Sequence, residues 1–365
     1  MTHRQKGFKE DFFKHTSKFT QEQKNLFDRI YKYWETRGEL VPPEEMIEWI
    51  KTTFGSVDDV KIQDFIKITN MVLYEGAIFN ELRTKRPVVF DIQLSEVFKE
   101  IAKDENGPFT HPLTRTPEDT FGRIEGKYSI TASNVTKYDG LHGLVIYNDH
   151  YPLEFTSDRI RDYFNVASQW FVKAHRTNAK AIYPFFSWNC LWKAGASIIH
   201  GHAQLAITEG QAYAKIEEMR ALALDYQERY KSNYFEDDYK IHENLGLAFE
   251  KNKVKLNVKI TPIKEKEIML TANAFDDNLA DILSEVLNTL KEKMSVFSFN
   301  VGIIIHPMEK TPEVWDHMPV VVRIVDRGNL STKTTDIGSM ELFAQSVIGS
   351  NPYAVMRELK KEMLK

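Results

Sequence analysis

The sequence predicts an α+β protein with a large antiparallel sheet and covering helices, and three observations carry that prediction. Seven short β-rich runs follow Arg83, at 142–147, 181–188, 202–208, 254–263, 267–272, 299–305 and 319–326. They come in groups instead of alternating one by one with helices, which argues against a doubly wound parallel sheet. Amphipathic helical stretches separate the groups, so each can cover one face of a sheet.

Taken in order, residues 8 to about 82 read as a helical extension. Phe27, Ile30, Tyr31 and Trp34 recur at three- and four-residue intervals, and Pro43 marks a first turn ahead of Met46, Trp49 and Ile50. Beyond it, 157–175 opens with Ser157 and stripes Ile160, Phe164, Ala167 and Phe171. The stretch 211–230 carries Tyr213, Ile216, Leu222 and Tyr226, and 278–294 carries Leu279, Ile282, Leu283, Val286, Leu287, Leu290 and Met294. Two successive blocks of strands with a helix suggest a duplicated unit. The partition is residues 1–80 as the extension, 81–235 as a first unit with the chemistry, and 236–365 as a second.

Composition narrows the class. With 365 residues and 42% hydrophobic content the chain supports a sizeable core without disulfide or metal staples. A net charge of −4 leaves no basic field for a nucleic-acid backbone or an anionic membrane. The lone cysteine, Cys190, excludes an internal disulfide, a CxxC pair and any multi-cysteine zinc site, and fits a reducing cytoplasm. The N-terminal residues include no apolar signal-like run, and no window of about 18 apolar residues occurs, so neither export by a standard signal nor a membrane span is expected.

Chemistry concentrates in Asn189–Ile207. If 200–207 is a strand, its alternation sends His200, His202 and Gln204 to one face, neighbours about 7 Å apart. The small run Ala194-Gly195-Ala196-Ser197 lets backbone N–H groups approach an anion, with the Ser197 hydroxyl as a further donor. A neutral imidazole is a nucleophile near pH 7 without a helper base, which suits phosphoryl or nucleotidyl transfer. The plainer readings of His-x-His are a pair of metal ligands, as in a metallohydrolase, or two strand histidines that satisfy neighbours.

The His200-Gly-His202-Ala-Gln204 signature, with Ser197 three residues before its first histidine and Asn189 thirteen before its second, resembles the galactose-1-phosphate uridylyltransferase branch of the histidine triad superfamily. That branch includes nucleotide-sugar and dinucleoside-polyphosphate phosphorylases. The resemblance implies two histidine-triad-like repeats, commonly a homodimer, and a nucleotidyl group carried covalently on His202. It implies Gln204 and Ser197 on the transferred phosphoryl group and Asn189 near it. Arg83-Thr-Lys-Arg86-Pro87 is similar to the family segment whose arginines approach the nucleotide diphosphate, and Asn134, ahead of Gly140-Leu-His-Gly, matches an asparagine near the ribose. The plain alternatives are a solvated helix end for the two arginines and a turn asparagine for Asn134.

The implied function is movement of a nucleoside monophosphate between a nucleotide sugar and a sugar 1-phosphate. Phosphate or water as acceptor would make it a phosphorylase or hydrolase. A nucleotide-binding module without catalysis is the reading from another class. No cofactor is required for such chemistry, although many members carry a structural zinc. Here both zinc thiolates are missing at Gly107-Pro-Phe-Thr110, leaving His150 and His200, with His111 as a substitute. His200 otherwise serves to stiffen the nucleophile strand. A second metal site involving His306, His317 and Glu217 or Glu218 is interrupted by Trp315, and Gly338–Glu341, with Lys333 nearby, matches the acceptor-gripping segment only loosely.

Overall fold

A computed structural model describes residues 7–85, 94–103 and 106–365. Two sheets organise the chain. The smaller is formed by β1 (Tyr31–Glu39), β2 (Ile62–Asn70), β3 (Gly76–Phe79) and β13 (Ser346–Ile348), with β13 parallel to β3. The larger contains β4 (Ser129–Ser133), β5 (Leu141–Tyr147), β6 (Ala181–Cys190), β7 (His202–Glu209), β8 (Ala248–Lys251), β9 (Val254–Val258), β10 (Ile268–Ala272), β11 (Phe299–Ile304) and β12 (Val320–Asp326). Its spatial order is β4-β5-β7-β6-β11-β12-β10-β9-β8 with every neighbouring pair antiparallel. All seven predicted strands are present, within a few residues.

The helices are α1 (Phe8–Thr16), α2 (Gln21–Ile30), α3 (Ile47–Phe54), α4 (Val57–Lys61), α5 (Leu94–Lys103), α6 (Pro112–Arg115), α7 (Ser157–Thr177), α8 (Ala214–Tyr230), α9 (Tyr234–Asn244), α10 (Asp277–Met294), α11 (Ser339–Phe343) and α12 (Pro352–Met363). The fold is α+β, as the grouped strands predict. Its topology also contains a repeated path. Strands β4 and β5 lead through α7 to β6 and β7, and β9 and β10 lead through α10 to β11 and β12, so the two halves meet at the β6–β11 seam in mirrored order.

Helix α7 forms because Ile160, Tyr163, Phe164, Ala167, Trp170, Phe171 and Ala174 recur on one stripe, and that stripe is buried. Helix α10 starts where Asp276 caps the Leu279 N–H at 3.1 Å and ends at Ser295, whose φ is 53°. Between α7 and the sheet lies an aromatic core. Tyr147 stacks on Tyr163 with ring centroids 3.9 Å apart, and Trp188 meets Phe155 and Phe299 edge-on.

Residues 1–80 depart from the expected helical extension. Helices α1 to α4 are there, but β1, β2 and β3 lie among them. The apolar positions of β2 that are buried, Ile66 and Ile68, follow a period of two, and Trp34, read as a helical core position, is 45% exposed on β1. A nine-residue antiparallel ladder between β1 and β2, distant in sequence, overrides the local helical spacing. The small sheet is fastened to the large one by buried polar groups: Lys259 pairs with Asp238 at 3.0 Å, Tyr31 donates to the same carboxylate, and Asn70 Nδ2 donates to Tyr234 at 2.8 Å.

Among the described residues, no helix is long and apolar enough to cross a membrane.

Candidate active site

The connection from β6 to β7 is strongly bent. Leu191 has φ 65°, a single tight turn spans Trp192–Ala194, and Gly195 has φ 92°, a left-handed conformation that favours glycine. The turn is held from the second half of the chain: Asn300 Nδ2 donates to Asn189 Oδ1 (2.7 Å) and to the Ala194 carbonyl (2.9 Å), and Lys193 Nζ donates to Thr332 Oγ1 (3.1 Å). Arg327 in turn donates to Asn300 Oδ1 and is clamped by Asp336. Asn189 therefore braces the turn across the seam, and neither it nor Gly195 lines the cavity described below.

Strand β7 begins at His202, so His200 lies just before the ladder, and the Phe109 ring packs edge-on against both histidines. Tyr147, the last residue of β5, donates its N–H to the Gly201 carbonyl, and Gly201 N–H reaches His150 O. His200 is thereby turned into the loop after β5. A Cβ at Gly201 would lie 2.4 Å from the Tyr147 ring, so only glycine fits between the two histidines.

His202 is buried, with Nδ1 2.8 Å from the His200 carbonyl oxygen. A carbonyl only accepts, so Nδ1 carries the proton and Nε2 keeps its lone pair. Burial, reinforced by the neighbouring His200 and opposed by the bond to its carbonyl, holds the ring below the ordinary histidine range and thus neutral at pH 7. The edge of Phe109 packs on it, ring centroids 5.0 Å apart.

His202, Gln204, Ser197 and Asn134 line one cavity of about 380 Å3, together with Phe109, Arg115, Tyr138 and Leu144. Its lining mixes apolar side chains with polar donors, the composition expected of a small-molecule site. Gln204 Oε1 accepts from the Tyr138 hydroxyl at 3.0 Å and lies 3.1 Å from His142 Nε2. Asn134 Oδ1 is occupied by the Thr136 N–H at 3.0 Å. A larger hollow of about 740 Å3 lies beside α7, among Lys127, Arg161 and several aspartates, and no histidine is among the described residues that line it.

Of the two arginines, Arg83 sits exposed in a short turn spanning Glu81–Lys85 and does not line the cavity, and Arg86 lies outside the described residues. Among the described residues, Arg115, at the end of α6, is the cation that lines it. Sequence reasoning did not single out Arg115, Phe109, Tyr138 or His142. Only His142 had a legible signal, a histidine at an inward position of a strand.

His150 and His200 do come together. Their Nδ1 atoms are 3.4 Å apart, while His150 Nε2 lies 2.7 Å from Ile101 O and His200 Nε2 2.7 Å from Tyr147 O. Zinc needs more than two imidazoles. His111 is exposed, and among the described residues no group of three or more His, Cys, Asp or Glu side chains is placed to hold a metal. Among the described residues two imidazoles converge here, fewer donors than a structural zinc takes. In the second half, His306 Nε2 lies against Met318 O, His317 Nε2 against Arg220 O, and Glu217 is taken by Arg220. Lys333 lines a separate hollow, and Gly338–Glu341 forms the start of α11 away from the cavity.

No protein-family model matches the sequence, and no curated protein matches it either. Solved structures do. An ADP-glucose phosphorylase from Arabidopsis thaliana with bound ADP-glucose superposes with TM-score 0.60 at 16% identity, over 80% of this chain and 97% of that one. A galactose-1-phosphate-uridylyltransferase-like protein from the same plant gives 0.59 at 15% identity, over 81% and 99%. A uridylyltransferase gives 0.55 at 15%, over 68% and 88%. The chain shares their fold. The family resemblance read from His200–Gln204 and its flanks is thus matched by the architecture, at sequence identities that carry fold alone.

Proposed function

We propose that this chain is a nucleotidyltransferase that works by double displacement on His202. The observation that carries the reading is the bond from His202 Nδ1 to the His200 carbonyl, which leaves Nε2 with its lone pair on a ring that lines a cavity shared with Gln204 and Ser197. The Nε2 lone pair forms a bond to the α-phosphorus of a nucleoside diphosphate sugar as the bridging P–O bond breaks, releasing a sugar 1-phosphate. An acceptor phosphate oxygen then forms the new P–O bond and the N–P bond breaks. Because the leaving group is a stabilised anion, positioning and charge stabilisation dominate over proton transfer. Gln204 and Ser197 supply neutral donors, Asn134 faces the sugar side, and Arg115 offers a guanidinium for the diphosphate.

The leading acceptor is a sugar 1-phosphate. Inorganic phosphate is the second reading, favoured by the likeness in fold to an ADP-glucose phosphorylase. Intact-protein mass spectrometry after mixing with ADP-glucose, UDP-glucose or a GDP-hexose tests the core claim. A mass increment of one nucleoside monophosphate on the wild type, missing in His202→Ala, is expected. Discharge of that adduct by galactose 1-phosphate or by phosphate then separates transferase from phosphorylase. No adduct with any donor, or an adduct that persists in His202→Ala, overturns the proposal.

A further inference from the structure

Gln204 can aid a phosphoryl group only with its NH2 end, since the carbonyl end would set a lone pair against phosphate oxygens. A side-chain amide has no intrinsic preference between the two orientations, so something must choose. We infer that Tyr138 and His142 are positioning residues that lock the Gln204 amide with its NH2 group toward the cavity. This deepens the proposed function and rests on it for its catalytic meaning.

The geometry is a donor pair converging on one oxygen. Tyr138 Oη donates to Gln204 Oε1 at 3.0 Å, and Ser187 stands opposite Gln204 in the β6–β7 ladder. His142 Nε2 is 3.1 Å from the same oxygen. Its other nitrogen, Nδ1, receives the Tyr138 backbone N–H at 3.4 Å, which leaves the proton on Nε2, facing Gln204. Asn134 Nδ2 also stands 3.2 Å from Nε2.

The lock is built into the fold although Tyr138 itself is more than half exposed. His142 is fully buried and the Tyr138 ring lies over it, centroids 3.8 Å apart. The loop that carries Tyr138 is pinned on both sides: Lys137 Nζ donates to Ser133 Oγ (2.7 Å) and His142 O (2.9 Å), and Tyr213 donates to Asp139 at 2.6 Å. With both lone pairs of Oε1 occupied, the two N–H bonds of Gln204 are the polar atoms left to meet a ligand.

Two measurements test this. In the free protein, 15N NMR of the His142 ring is expected to show the Nε2-protonated tautomer, and an Nδ1-protonated ring overturns the inference whatever the chain catalyses. In the labelling assay with ADP-glucose or UDP-glucose, Tyr138→Phe is expected to slow labelling about five- to tenfold with the donor KM within about twofold. In a Gln204→Ala background the same change should have no further effect, because Tyr138 acts only through that amide. Independent, multiplying losses would instead make Tyr138 a separate contact and sink the idea. If the wild type takes no label, the proposed function fails, and the tautomer alone decides the lock.

Discussion

Asn300 reaches across the seam of the large sheet and donates its side-chain amide to Asn189 Oδ1 at 2.7 Å, the two residues standing directly opposite in the β6–β11 ladder. The same NH2 group holds the Ala194 carbonyl, so one residue of the second half shapes the turn that leads to the nucleophile strand. Asn300→Ala leaves three buried or half-buried polar partners unmatched. It is expected to cost about 1–3 kcal/mol, read from urea unfolding, and to slow labelling at His202. Asn300→Asp, which keeps an acceptor for Arg327 but offers Asn189 and Ala194 no donor, should not restore either property.

Gly201 is the second sensitive position. A methyl group there meets the Tyr147 ring at 2.4 Å and the Pro152 Cα at 3.2 Å, and Tyr147 cannot retreat because it is stacked on Tyr163. Gly201→Ala is expected to lose about 1–3 kcal/mol of stability. The strain falls between His200 and His202, so labelling should drop more steeply than the fraction of folded protein measured by circular dichroism.

Phe109 closes over the His202 ring and also belongs to a small apolar cluster with Ile130, Leu144 and Ile146. Phe109→Ala should therefore destabilise by about 3–5 kcal/mol, whereas Phe109→Leu keeps most of the packing. With Leu at 109 a loss below about 1.5 kcal/mol is expected. The labelling rate of that variant reports how far the aromatic edge itself holds the imidazole in line.

Acid should weaken the fold through His242. Its Nδ1 donates to Asp238 O at 2.8 Å, its Nε2 accepts from the Ile260 N–H at 3.4 Å, and burial drives its pKa down to about 4. A folded-state value below the unfolded one means that the unfolded chain takes up a proton first. The contribution is then complete above about pH 6.5 and fades as the pH falls toward 4, by roughly 3 kcal/mol at most. Urea midpoints between pH 7 and 4.5 should fall more steeply for the wild type than for His242→Gln.

Much of the large sheet was legible because its strands are locally consistent. In 142–147, 202–208 and 319–326 the β-branched and aromatic residues, the burial pattern and the ladder agree. Strands β8 and β13, four and three residues long, carry too few residues for a period to emerge. Strands β1 and β2 were hidden for a different reason: their partner lies about thirty residues away, and the spacing of Phe27, Ile30, Tyr31 and Trp34 suits a helix until that partner is known. At the site, His202, Gln204 and Ser197 were singled out from one signature and its flank and Asn134 from a separate stretch ahead of Gly140-Leu-His-Gly, and the four line one cavity. Asn189 and Gly195 were found too, but shape the turn from beneath.

The sequence by itself determined the chemistry on offer: an imidazole-rich strand start, a small-residue turn before it, a grouped pattern of strands, and a cysteine count that removes the thiolate ligands. Those are properties of residue type and spacing along a few contiguous positions. Only the tertiary structure decided which nitrogen of His202 holds the proton, that His200 meets His150, and that Tyr138 and His142 grip Gln204. The first depends on a carbonyl two residues back along the same chain, the others on a ring or a hydroxyl brought in from a distant segment. Hydrogen-bond direction is set by partners within about 3 Å, and spacing along one strand carries no record of them.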